Sequence, residues 1–349
     1  MRYRIPAVAA AAGVALVLAA CSSGGSGGSG AGAGAAANVG ATTAKTVNLK
    51  VACAATLQQL PFDIAKKNGD DTKAGLKPEC VQVQTGPAQS AALLSGGLNV
   101  AIMTPANLYP LLDKKQDLVI FAGGWSTNYW DILVGKNVSL PDASQGWQGV
   151  MKDLQGKRIG VVTRGGAAEG VAHALFQQAG LAADAASYIP TGLPNTTLAA
   201  LQSKAIDAAI TFEPGVTLAV QEGIGTQPFS IQKGTGPKEM VFADQVFVAS
   251  RKYAEKNKDS LCRLTKTWDA GLQYMQDSAN ASAVDAEAAS FLGLKPDQAK
   301  ALMDRNLSFF PKTSALDAST IDPSFAFQQK YGSAKKAYTL SDIGVNVCS

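Results

Sequence analysis

From residue 46 onward, short apolar runs alternate with longer segments of mixed polarity. Positions 47–53 (VNLKVAC) alternate polar and apolar residues and then turn fully apolar, a pattern that predicts a strand. Positions 60–67 read as a helix stopped by Asn68-Gly69. Strands are expected at 80–84, 98–103 and 118–122, with Gly86-Pro87 opening a helix that runs to Ser95. A second series follows: a short apolar strand at 131–135, a strand at 157–162, a helix over 167–179, and strands near 187–190 and 206–212. Positions 244–250 read as a returning strand, and 253–276, 283–291 and 296–306 as helices; from Pro311 the chain reads as polar and irregular. Strands alternating with helices of this length predict parallel βαβ units and an α/β fold.

One stretch occurs twice, 108 residues apart. Ala91-Ala92-Leu93-Leu94-Ser95 leads into Leu98-Asn99-Val100-Ala101-Ile102, and Ala199-Ala200-Leu201-Gln202-Ser203 leads into Ile206-Asp207-Ala208-Ala209-Ile210. Each copy predicts a helix end, a tight turn, an apolar strand and a proline loop, Thr104-Pro105 in one and Glu213-Pro214 in the other. A spacing of this size predicts two similar lobes facing each other across a cleft, where small molecules bind. The chain would build lobe I from 46–130, cross to lobe II at 131–244, and return to lobe I over 245–349. Two crossings make a hinge.

The N-terminus has a different character. Arg2 and Arg4 precede an apolar or small-residue run over 5–20, the layout of a secretory signal peptide and short for a bilayer span. Leu18-Ala19-Ala20-Cys21 resembles the lipobox of bacterial lipoproteins, which implies cleavage after residue 20 and lipid on Cys21. Residues 21–45 are then expected to act as a Gly/Ser/Ala tether, too poor in apolar surface to fold. The expected product is a lipid-anchored protein on the extracytoplasmic face of the cell membrane.

Charge adds an exclusion. Without Arg2 and Arg4 the formal charge of +4 becomes +2, and no Lys/Arg-rich run points to nucleic acid. Beyond Cys21 the cysteines number four, an even set suited to an oxidising compartment. Three pairings are open, of which Cys53–Cys80 and Cys262–Cys348 are preferred, the second because it would pin the chain end to a late helix. Neither the cysteine spacing nor the single histidine, His173, suits a metal site, and no cofactor is expected.

Four segments carry a resemblance: Leu60-Pro61 through Asn68-Gly69 to Gly75-Leu76; Ser95-Gly96-Gly97-Leu98-Asn99-Val100-Ala101; Asp153 to Val161 (DLQGKRIGV); and Ile206 to Pro214 (IDAAITFEP). Together they resemble the substrate-binding proteins of ABC transporters of the nitrate/sulfonate/taurine type, a superfamily that also includes thiamine-precursor proteins. The resemblance implies a periplasmic-binding-protein type II fold. It also implies a monomer that holds a small solute between its lobes and hands it to an ABC permease.

Within such a fold the ligand lies at strand C-termini and helix N-termini, where backbone N–H groups are free. The expected contacts are therefore Ala55 and Thr56 after the first strand, Gly86 after the second and Thr104 after the third. In lobe II the loop Thr163-Arg164-Gly165-Gly166 offers a hydroxyl, glycine amides and a guanidinium; the alternative is an ordinary turn whose arginine faces solvent. Thr191 is a secondary candidate, and Glu213 either touches ligand or caps the helix after it. Trp125 belongs to an aromatic run, 125–131, that could stack on a ligand or pack the hinge.

Catalysis is not expected. The chain has no G-x-S-x-G elbow, P-loop or H-E-x-x-H motif, and it lacks the cysteine-rich iron-binding segment of the thiamine-pyrimidine synthases. Two other readings stay open at this level: an enzyme of that synthase type, or a ligand-sensing lipoprotein without transport.

Overall fold

The structure is a computed structural model that describes residues 46–332 and 334–348. The signal peptide, Cys21 and the tether all lie outside the described residues.

Two sheets organise the chain. The first joins a parallel pair, β1 (Val47–Cys53) and β2 (Leu76–Gln82), to a three-stranded set ordered β3 (Ala101–Met103), β10 (Gln245–Ser250), β4 (Leu118–Trp125). A parallel bridge between Val51 and Val100 links the two parts. The second sheet has five strands in the order β7 (Ser187–Pro190), β6 (Arg158–Val161), β8 (Ala208–Thr211), β5 (Asp131–Gly135), β9 (Gly225–Thr226).

Each sheet contains a strand that belongs to a crossing. β5, the first strand after the chain leaves the first sheet, runs antiparallel to β8. β10, the strand of the return, runs antiparallel to both β3 and β4. Parallel neighbours need a crossover helix, and the helices Gly86–Leu94 and Pro194–Gln202 play that part in equivalent places.

Alternation along the strands builds a core on both faces of each sheet. Val119 and Phe121 pack with Trp268 and Leu272 on one side of the first sheet, while Leu118 and Ile120 pack with Tyr109 and Phe325 on the other. In the second, Ile132 and Val134 face the cluster around Phe176, and Leu133 faces Leu198 and Leu218. Phe327, from the late helix Ala318–Tyr331, packs into the second sheet's cluster.

Both preferred cysteine pairs are bonded. β2 starts at Leu76 rather than at Cys80, so the parallel register sets Cys80 beside Val51, two residues from Cys53. Two helical expectations change. The span 253–276 divides at Asn257 (φ −127°) into Arg251–Lys256 and Lys258–Gln276. The stretch expected to be irregular after Pro311 contains the helix Ala318–Tyr331, which buries Ile321, Phe325 and Phe327 despite an internal Pro323.

Candidate functional site

A cavity of about 80 Å³ lies between the two sheets. The turns that follow β1, β2, β3, β6 and β7 all reach it, and most open directly into a helix. Thr85 precedes Gly86–Leu94, Thr104 precedes Pro105–Asp113, Gly166 precedes Ala167–Gln178 and Leu193 precedes Pro194–Gln202. None of these four N-caps forms a side-chain cap bond, so first-turn amides such as those of Ala88, Ala106 and Ala168 have no acceptor inside their helices. The aligned dipoles add partial positive charge at the same place.

The two halves line the cavity differently. The first sheet's half contributes Thr56, Gln58, Gln59, Gln84, Gln89, Thr104, Asn107 and Gln245, a wall of amides and hydroxyls. The second contributes Val162, Ala167, Ala168, Leu193 and Phe212, with Thr163 as its one hydroxyl. Among the described residues, no charged side chain, histidine or cysteine lines the cavity.

Several polar groups of the wall are held in place. Gln59 Oε1 accepts the Ala54 N–H at 2.9 Å, which fixes the turn after β1. Asn107 Nδ2 donates to Thr104 Oγ1 at 2.8 Å and lies against the Cα of Gly86, where a Cβ would come within 2.1 Å of Nδ2. Only glycine leaves room for that amide.

Aromatic rings close the hinge side. Tyr129 and Trp130 stack at 5.1 Å, and Phe212 meets the Trp130 ring edge-on at 5.3 Å. Behind them Asp244 is buried, which pushes its carboxyl well above the usual range; the Trp130 indole opposes this weakly, without closing a hydrogen bond.

The structure brings five of the expected residues to the cavity: Thr56, Gly86, Thr104, Thr163 and Gly166. It puts the other six elsewhere. Ala55 is exposed beside the cavity, and its neighbour Ala54 lines it. Trp125 is buried in the first sheet's core, edge-on to Phe310, with its indole N–H donated to Thr127.

Arg164 turns away and clasps Glu169 with Nε and Nη2, at 2.9 and 3.0 Å. The Gly165 amide also donates to Glu169, at 2.7 Å. Burial alone would raise the Glu169 carboxyl, but Arg164 and that amide outweigh it and hold it below the usual range. Thr191 Oγ1 pairs with Thr197 Oγ1 at 2.9 Å.

Glu213 is buried and caps its helix, with Oε2 accepting the Thr217 N–H and Oε1 the Thr217 hydroxyl, both at 2.9 Å. Asn306 donates to Glu213 at 3.3 Å, and Arg305 Nε lies 3.4 Å away. Nearby, Asp131 accepts from Gln227, Ser230 and the Ile231 amide. Burial pushes Asp131 up to about 7, against the pull of Ser230 and Ile231.

The glutamines, Asn107, Tyr129 and Trp130 had no individual signal in the sequence. Among them only the aromatic pair stood in a run marked out in advance, and a glutamine inside a helix or strand says nothing of the cavity it faces.

The family model described as the NMT1-like family matches residues 42–290. No curated protein matches the chain. Among solved structures, a protein of Bordetella bronchiseptica is 19% identical (TM-score 0.72; 86% of this chain and 94% of that one). The alkanesulfonate-binding protein SsuA of Xanthomonas axonopodis, bound to MOPS, is 18% identical (TM-score 0.70; 87% and 99%). The periplasmic nitrate-binding protein NrtA of Synechocystis is 16% identical (TM-score 0.61; 78% and 73%). The chain belongs to the NMT1-like family and has the α/β fold of type II periplasmic binding proteins.

Proposed function

We propose that this protein is the solute-binding component of an ABC importer, taking a small molecule into the cavity between its sheets and passing it to a permease. Lobe I would comprise 46–130 and 245–349, lobe II 131–244, with the crossings as hinge. Cys21 would carry the lipid that holds the monomer on the extracytoplasmic face of the membrane. The observation that carries the reading is the convergence of four uncapped helix N-termini on one uncharged cavity walled by both halves. Such a site offers fixed donors to a solute and little to a reaction, because it lacks a paired nucleophile and base. Sulfonate-, nitrate- or taurine-like solutes and pyrimidines are the classes first tried.

A thermal-shift screen over those classes tests the proposal. One class should raise the melting temperature in proportion to the logarithm of concentration over Kd, and Thr163→Trp, which fills the cavity, should abolish the shift. A shift that survives Thr163→Trp would place the solute elsewhere. Anchoring is read separately: Cys21→Ala should move the protein from the membrane fraction to the soluble one, and retention in the membrane would rule out the lipid. A neighbouring permease and ATPase gene would favour transport, and a neighbouring histidine kinase gene would favour sensing.

A further inference from the structure

We propose that Arg305, which lies outside the cavity, is a positioning residue for solute binding. Its guanidinium holds Asp131 and Glu213, the residues next to Trp130 and Phe212 in the aromatic part of the cavity wall. This deepens the solute-binding reading and rests on it.

The helix that carries Arg305, Pro296–Asn306, is shared between the two sheets. Its Ala299, Leu302 and Met303 are buried in the first sheet's cluster with Phe247 and Trp268. Its polar side chains reach the second sheet's elements instead. Gln298 Nε2 donates to Glu222 Oε1 at 3.0 Å, and Asn306 Nδ2 to Glu213 Oε1 at 3.3 Å. Arg305 Nη2 donates to Gln227 Oε1, while its Nε lies 3.4 Å from Glu213 Oε1. Gln227 passes the contact on, its Nε2 donating to Asp131 Oδ2 at 2.6 Å.

Strand alternation places this grip behind the cavity wall. Trp130, Ile132 and Val134, with Ile210 and Phe212, belong to the cluster around Phe176. Leu133 and Ala209 belong to the opposite cluster, against which Leu294 packs just ahead of the helix. Asp131 is in phase with Leu133, so its carboxyl leaves the strand on the helix's side and the Trp130 ring on the other. Glu213 follows Phe212, and its carboxyl is turned to Thr217, Asn306 and Arg305. One guanidinium thus reaches the neighbours of both rings, which meet edge-on at 5.3 Å and line the cavity.

The planar fork matters, because it serves Gln227 and Glu213 at once in fixed directions. A lysine ammonium, a point charge on a flexible stem, can pair with Glu213 but does not reproduce both contacts. Truncation to alanine would leave Glu213 buried without its cation and put folding itself at risk, so the test keeps the charge.

Protein labelled with 5-fluorotryptophan gives a fluorine resonance for Trp130, assigned by its loss in Trp130→Phe. Arg305→Lys, and Gln227→Met, which leaves the Arg305–Glu213 pair intact, should each shift or broaden that resonance and leave the Trp268 resonance in place. Gln298→Met, on the same helix face, should move neither. Methanesulfonate, titrated by calorimetry, should bind the first two variants about threefold to thirtyfold more weakly than Gln298→Met. A Trp130 resonance unmoved in both variants overturns the proposal, and so does a lowered melting temperature with unchanged affinity. The fluorine readout needs no solute, so it decides the positioning of the wall whichever class the solute screen returns, and it leaves the solute-binding reading to that screen.

Discussion

Asn99 and Asp207 hold the same place in the two halves. Asn99 Oδ1 accepts the Lys50 N–H at 2.8 Å, and Asp207 Oδ2 accepts the Arg158 N–H at 2.9 Å, each across 49 residues. Both pairs brace a short strand against its parallel neighbour, so the repeated stretch is matched in hydrogen bonding as well as in sequence.

The equivalence exposes a mismatch in the preceding turn. Gly96 takes φ +77° and its counterpart Lys204 takes φ +59°, a region that side chains with a Cβ enter at a cost of about 1–2 kcal/mol. Lys204→Gly should therefore stabilise the protein by about 0.5–1 kcal/mol after the added freedom of the unfolded chain is subtracted. Urea denaturation reads the difference, and a loss of stability would sink the claim.

Gly271 marks a close approach between two helices. A Cβ there would lie 1.8 Å from the Pro61 carbonyl oxygen, which is backbone and has little room to yield. Gly271→Ala should destabilise by about 1–3 kcal/mol or more, through displacement of Leu60–Lys67 from Lys258–Gln276. The melting temperature checks it, with Gly223→Ala (φ +64°, open space) as a control for backbone strain alone.

Both disulfides should stabilise, in an order set by loop length. Cys262–Cys348 spans 86 residues and Cys53–Cys80 spans 27. The chain-entropy relation gives about 4–5 kcal/mol for the first and about 3–4 for the second. Paired Cys→Ala variants measured in denaturant should show the larger loss at Cys262/Cys348, and the reverse order would mean that native packing, not chain entropy, dominates.

Asp131 gives the pH dependence a sign. Its folded pKa, pushed up to about 7, exceeds the ordinary 3.8, so between those values the folded state holds a proton that the unfolded state has released. Its contribution is fully present below about pH 4 and is lost as pH rises through 7, on the order of 4 kcal/mol in total. Glu213 and Asp244, both raised chiefly by burial, act in the same direction. Asp131→Asn should flatten the fall in stability between pH 4 and 7, and an unchanged slope would show that the carboxylate is ionised throughout.

Arg164→Ala separates clasp from ligand contact. The variant should lower the melting temperature, because Glu169 loses two hydrogen bonds, while solute affinity stays within about threefold. A large loss of affinity would return the guanidinium to the site.

Legibility in the sequence followed the range of the interactions. Strands such as Asp131–Gly135 and Ala208–Thr211 stood out because burial writes itself into consecutive residues. The turns at Thr56, Gly86, Thr104 and Gly166 were visible because small and hydroxylic residues follow apolar runs. Arg164 looked like an anion ligand because nothing local shows that Glu169, five residues on, claims it first. Gln89 and Gln245 were invisible for a different reason: they lie 156 positions apart, on a helix and on the returning strand, and only tertiary packing gives them one wall. The helix Ala318–Tyr331 was hidden by Pro323 and by buried polar positions such as Ser324 and Gln328.

The uncharged lining also bears on the protein's tolerance of its surroundings. Dissolved ions screen the attraction between charges separated by more than a Debye length, about 10 Å at 0.1 M salt, but they leave short hydrogen bonds nearly untouched. With no charge in its lining, the cavity would hold a neutral solute with the same affinity in dilute and in saline water, and would give up electrostatic acceleration of capture in exchange.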